Sequence, residues 1–224
     1  MIRGIIFDLD GTLITSEDVI EDALHRVVRE LTGQAADSAA FRAARVQMGS
    51  NAEQDAFRIF CDVLGLDATP ERVQEMYTRY QEQGFPRIRL TEGTERLVRH
   101  MHAHGIPMAI ATNTVRAKVI LKTTSVREVM DLIPHVVTLD DVLFGKPHPA
   151  MVKKAAKLLK QAPASCLMFD DNPKGIVAAM RAGAPSIGLT FRITPEEMPG
   201  ADAYLPSLAH FKPNEWGLPP FGDE

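Results

Sequence analysis

Gly4-Ile5-Ile6-Phe7-Asp8-Leu9-Asp10-Gly11-Thr12-Leu13 decides the fold. Its first four residues form a short, continuous apolar run, which predicts a strand buried on both faces of a parallel sheet. Two aspartates follow at once, two residues apart, and then a glycine. In an open α/β sheet, ligands bind beyond the carboxyl ends of the strands. Alternate side chains leave a strand on the same side, so Asp8 and Asp10 can enter one pocket there. Gly11 lets the backbone turn sharply, and the amides around Gly11 and Thr12 can face an anion. A Ca²⁺ loop of the EF-hand type would need Gly in place of Leu13 and Glu in place of Val19, so that reading fails. An ordinary Asp-Gly turn stays open at this point.

The same kind of apolar run returns at Met108-Ala109-Ile110-Ala111, Val136-Val137, Cys166-Leu167-Met168-Phe169 and Ser186-Ile187-Gly188-Leu189. Helix-length segments with apolar residues three and four apart separate most of them. One is 150–159 and another 175–182, the latter closed by Gly183 as a C-cap. Strands alternating with helices predict an α/β fold with a doubly wound parallel sheet. The alternation breaks once. Residues 15–90 contain no convincing strand, and 18–31, 38–48, 53–64 and 70–83 read as amphipathic helices separated by Gly- and Pro-containing stretches. This predicts an all-α insert at 15–90, set into a core made of 1–14 and 91–224. Beyond Pro206 the chain is rich in Pro and Gly, with Trp216 and Phe221 expected to rest on the surface.

Composition narrows the function classes. The chain of 224 residues is 45% hydrophobic and 24% charged, which suits a substantial buried core. Its 25 basic and 29 acidic residues leave a net charge of −4, which argues against a nucleic-acid partner. Cys61 and Cys166 are far apart in apolar runs and read as buried free thiols in a reducing compartment. Charged Arg3 and Asp8 leave no room for a signal-peptide apolar stretch, and no run approaches membrane-spanning length. A cytoplasmic monomer or dimer with no membrane partner is the expectation.

Three further segments carry polar groups at strand ends. Asp170-Asp171 follows the strand 166–169; alone it reads equally as an N-cap of the next helix. With Asp8 and Asp10 it would bring four carboxylates to one sheet edge. A unit-charge pair at about 4 Å costs about 4 kcal/mol at an effective dielectric of about 20, so a divalent cation is expected. Oxygen-only ligands with room for water and phosphate suit Mg²⁺. Thr112-Asn113-Thr114 ends the strand 108–111 and is expected to open a helix, where a hydroxyl and amides can hold a phosphate oxygen or simply cap. Gly145-Lys146-Pro147 places an ammonium where a phosphoryl group would need neutralising. The run His100-x-His102-x-His104 resembles a metal site, but on a helix only His100 and His104 share a face. A last helical turn also favours His on dipole grounds alone.

In chain order these segments read Asp-Leu-Asp-Gly-Thr, Thr-Asn, Lys-Pro and Asp-Asp, each after a predicted strand. This resembles the four-motif pattern of the haloacid dehalogenase superfamily, in the phosphoglycolate phosphatase and β-phosphoglucomutase-like group, over nearly the whole chain. The resemblance implies a helical cap inserted after the first motif, and a Mg²⁺-dependent phosphatase acting on a small phosphorylated metabolite. It implies Asp8 as nucleophile and metal ligand, and Asp10 as general acid/base with its backbone carbonyl on the metal. Thr112, Asn113 and Lys146 would hold the phosphoryl group, with Gly11 and Thr12 beside it; Asp170 and Asp171 would complete the metal site. Retention of all four aspartates argues against the dehalogenase branch. A sugar phosphomutase shares the motifs, and a non-catalytic phospho-ligand module is the reading from another class. In a mutase of the β-phosphoglucomutase type a cap His is expected where Ile20 stands, and a cap Arg in the loop Gly49-Ser50-Asn51-Ala52, which has no cation. The same loop, with Met48, is the candidate for substrate selection. Glu92-Gly93 stands where many relatives have Pro-Gly. The insert is expected to move as a lid, hinged near 14–16 and 89–93.

Overall fold

The computed structural model describes residues 1–33, 38–48 and 53–222, so the expected specificity loop at 49–52 lies outside the described residues. The chain divides into two compact units: Met1–Ser16 with Ile88–Glu224, and Glu17–Arg87.

In chain order, β1 (Gly4–Phe7) leads into four helices, α1 (Glu17–Thr32), α2 (Ser38–Met48), α3 (Glu53–Leu64) and α4 (Pro70–Gly84). The chain then runs through α5 (Thr94–Ala103), β2 (Met108–Ala111), α6 (Arg116–Thr123), the single turn α7 (Arg127–Met130) and β3 (His135–Val137). It closes with α8 (Ala150–Leu158), β4 (Cys166–Asp170), α9 (Pro173–Ala182), β5 (Ser186–Leu189) and β6 (Ala203–Leu205).

The strands form one parallel sheet in the order β3-β2-β1-β4-β5-β6. β1, β2, β4 and β5 are buried at every position, as their unbroken apolar runs require. One face is covered by α8 and α9, whose Met151, Val152, Ala155, Ala178 and Ala179 pack with Ile6, Ala109 and Met168. On β1 and β4 the rings of Phe7 and Phe169 stack at 5.4 Å, and Phe211 meets Phe169 edge-on at 4.9 Å.

Two features depart from expectation. β6 is a partly buried edge strand that its polar setting, Ala201-Asp202-Ala203-Tyr204-Leu205, does not announce. The Pro/Gly-rich tail is also more than surface trim, because Leu208, Phe211 and Leu218 are buried. Phe221 is half-buried, with the Arg96 guanidinium 4.2 Å above its ring and His100 4.8 Å away.

In the helical unit α1 packs on α4, and α3 on both α2 and α4. Their shared stripe includes Leu24, Val27, Phe41, Phe60, Met76 and Tyr80, all buried. Phe60 meets Phe41 edge-on at 5.3 Å, and the Cys61 thiol lies 3.3 Å from the Met76 sulfur. Thr69 caps α4 by accepting from the Arg72 amide, with Pro70 at the first helical position. Both cysteines are free and buried. Among the described residues no helix is long and apolar enough to cross a membrane.

Candidate active site

Strand register assembles the site. β1 pairs with β4 through Phe7 and Phe169, so Asp8 and Asp170 emerge side by side. On its other flank β1 pairs with β2 through Phe7 and Ile110, which brings Thr112 to the same edge. The strand order reverses between β1 and β4, and this switch point is where open α/β sheets bind ligands.

Oxygens of Asp8, Asp170 and Asp171 lie within 4.8 Å of one another. Asp8 and Asp170 are buried, Asp171 partly so. The Lys146 ammonium, itself buried, donates to Asp8 and, at 2.8 Å, to Asp170. Burial pushes the Asp8 carboxyl well above the usual carboxylate range; Lys146 opposes this, while Asp170, Asp171 and Asp10 reinforce it. Burial alone would lower Lys146, but Asp170 and Asp8 outweigh it and hold the ammonium above its ordinary value. This donor set is all oxygen, dense in negative charge and largely dry, so its chemistry fits a hard divalent cation.

Two glycines make the convergence possible. Gly11 sits at φ +87°, which favours glycine, and a Cβ there would fall on the Asp171 carboxylate. A Cβ on Gly175, in α9, would fall on the Asp170 carboxylate. Asp170 also accepts from the Asn172 amide at 2.9 Å, while Asn172, and not either aspartate, caps α9 through the Lys174 amide at 3.0 Å. Thr12 donates to Asp171 at 3.1 Å.

The other sequence-derived residues stand as follows. Asn113 straps the Lys146 loop: its Nδ2 donates to the Lys146 carbonyl at 3.0 Å and its Oδ1 accepts from the Lys146 amide at 2.8 Å. Thr112 is buried, and its hydroxyl accepts from the Thr114 amide at 3.0 Å. The helix expected to open at 112–114 begins only at Arg116, because this hydroxyl-stabilised turn comes first.

Asp10 has its side chain elsewhere. It does not join the three-carboxylate cluster but faces α6, where Lys122 Nζ donates to Oδ1 at 2.6 Å and Thr114 Oγ1 to Oδ2 at 2.6 Å. Burial would raise Asp10, yet the Lys122 ammonium, with the nearby Ser16 and Thr114 hydroxyls, holds it below the usual range. Ser16 Oγ is buried close to Asp10 without the geometry of a full hydrogen bond. Lys122 escapes a motif search because a helical lysine reads as solvated. The available signal was its position three residues after buried Val119, on the inward stripe of α6. Lys118, one turn earlier and half-buried, is lowered to about 8 by burial and by the Lys122 charge.

A model of the family described as haloacid dehalogenase-like hydrolase matches residues 2–183. (DL)-glycerol-3-phosphatase 2 of Arabidopsis thaliana is 33% identical over 231 residues, covering 99% of this chain and 94% of that protein. The probable pseudouridine-5'-phosphatase of Drosophila melanogaster is 32% identical over 224 residues, covering 97% of this chain and 95% of that one. Among solved structures, a HAD family hydrolase from Deinococcus radiodurans R1, crystallised with bound phosphate and sodium, is 26% identical with a TM-score of 0.76. That match covers 98% of this chain and 99% of the other. With the parallel sheet and its carboxylate edge in place, these matches make the chain a member of the haloacid dehalogenase-like hydrolase family.

Proposed function

We propose that this chain is a Mg²⁺-dependent phosphomonoesterase that acts on a small phosphorylated metabolite through an aspartyl phosphate on Asp8. The observation that carries the reading is Lys146 set between Asp8 and Asp170, with Asp171 in reach, at the switch point of the sheet. The phosphatase names of the two curated relatives support it. In this reading 1–14 and 91–224 are the catalytic core and 15–90 the cap.

The Asp8 carboxylate attacks phosphorus and forms a P–O bond as the ester P–O bond breaks. Asp10 gives a proton to the departing oxygen. Water then attacks phosphorus, Asp10 takes its proton, and the bond to Asp8 breaks to free phosphate. Lys146 offsets charge on the transferring group, and Thr112 and the amides at Thr12 and Asn113 orient it, whereas the Gly11 amide expected beside them donates to the Ile14 carbonyl at 2.9 Å and only shapes the turn. Mg²⁺, held by Asp8, Asp170, Asp171 and the Asp10 backbone carbonyl, would add charge neutralisation to both steps. Asp10→Asn keeps the nucleophile and loses the proton carrier, so turnover should fall by roughly 10²–10⁴-fold. A rate near that of the unsubstituted enzyme would remove Asp10 from the mechanism.

The mutase reading lacks its cations: Ile20 is a buried apolar residue where a His is expected. A panel of phosphomonoesters assayed with Mg²⁺ tests the proposal, with glycerol 3-phosphate, pseudouridine 5'-phosphate and phosphoglycolate first. β-Glucose 1-phosphate with a catalytic bisphosphate should yield inorganic phosphate at most. Glucose 6-phosphate forming faster than phosphate would establish the mutase, and binding with no turnover of any ester would establish the non-catalytic module.

A further inference from the structure

We infer that Lys122, with Thr114, is a positioning residue that sets the Asp10 carboxyl for proton transfer to the leaving group. The inference rests on the phosphomonoesterase reading and adds a residue that the motifs do not contain.

Each Asp10 oxygen has its own donor. Lys122 Nζ reaches Oδ1 and Thr114 Oγ1 reaches Oδ2, both at 2.6 Å, so the plane of the carboxyl is held from two sides. A carboxyl held by a single donor would still pivot about that contact. One lone pair on each oxygen stays available, which leaves room for a leaving-group oxygen. Lys122 is 7% exposed, and Asp10 is the carboxylate it pairs with; a buried ammonium without such a partner is strongly disfavoured. The two donors also share one stretch of backbone with the phosphate-holding residues. Thr112, Asn113 and Thr114 form the turn that feeds α6, and Lys122 closes that helix. The group that passes the proton and the groups that grip the phosphoryl are thereby mounted on one segment. Small misplacements of a reacting group are costly, so a shared mount has a catalytic use.

The test exploits leaving-group chemistry. kcat/KM reports steps up to the first irreversible one, here departure of the alcohol, which needs a proton only when it is a poor leaving group. Phenyl and p-nitrophenyl phosphate have nearly the same shape, but phenol, with a pKa of about 10, leaves far less readily than p-nitrophenol. Loss of the Lys122 ammonium would by itself ease protonation of Asp10, so a fall on the poor leaving group reads lost orientation and not lost acidity. In the Mg²⁺-loaded enzyme Lys122→Met should lower kcat/KM for phenyl phosphate about tenfold or more, and for p-nitrophenyl phosphate by less than about threefold. Lys122→Arg should recover part of the phenyl phosphate loss. Thr114→Val should reproduce the selective loss, and it decides the matter if Lys122→Met fails to fold, with melting curves run alongside. An equal fall on both esters in these variants, or no fall on either, would overturn the assignment of Lys122 and Thr114 while leaving the phosphomonoesterase reading intact. Failure of the unsubstituted enzyme to turn over either ester would overturn both.

Discussion

Replacing Asp8 by Asn should abolish phosphate release from every phosphomonoester while the protein stays folded. The amide has the shape of the carboxylate and almost none of its nucleophilicity, so no aspartyl phosphate forms. The fold should tolerate the change well. Burial raises the Asp8 carboxyl above the usual range even with Lys146 beside it. For an acid raised in the folded state, the folded protein binds the proton more tightly than the unfolded chain. Stability is then lost as pH climbs from the unfolded value towards the folded one. Above the unfolded value the metal-free protein carries such a cost, and an uncharged Asn removes it. Metal-free Asp8→Asn should therefore melt no lower than its parent at pH 7, because Lys146 keeps its 2.8 Å bond to Asp170. Phosphate release and thermal melting measured on one preparation check both halves. Retention of the parent rate would end the covalent mechanism.

Removing divalent metal is expected to have an effect of similar size. Asp8, Asp170 and Asp171 crowd their oxygens within 4.8 Å, with Lys146 supplying one compensating charge between two of them. A phosphoryl dianion brought to that edge meets net negative charge. Each pair of like charges near 4 Å costs about 4 kcal/mol at an effective dielectric of about 20, enough to prevent productive binding. Activity should vanish in excess chelator and return with Mg²⁺. Ca²⁺ prefers more ligands at longer distances than three carboxylates and a carbonyl can satisfy compactly, so it should restore little. Full turnover in chelator would show that Lys146 alone suffices.

Much of this was legible in the residues. Strands buried on both faces must be apolar throughout, so β1, β2, β4 and β5 stand out as unbroken runs. The four amphipathic helices of 17–87 are legible for the related reason that one stripe of each must be buried. β6 was hidden because a three-residue edge strand needs neither a long run nor full burial. At the site, the aspartates were visible because they interrupt apolar strands. Lys122 was not, since its meaning comes from Asp10, 112 positions away in the chain, and from the turn of α6 that brings the two together. Asn113 was read as an amide donor, but the work of its side chain, strapping the Lys146 loop, is a tertiary relation with no local signature.

The two thiols have a practical consequence. Burial pushes both Cys61 and Cys166 up to about 11, so at neutral pH each is ionised only to the order of 10⁻⁴. Alkylating reagents act on thiolates they can reach, and these two are sealed inside their respective units. A cysteine placed on the surface of either unit would therefore label far faster than the native pair. One such handle in Glu17–Arg87 and another in the sheet unit would give a dye pair without a cysteine-free background. Energy transfer between the dyes would then follow the distance between the units, with and without phosphate analogues, during turnover.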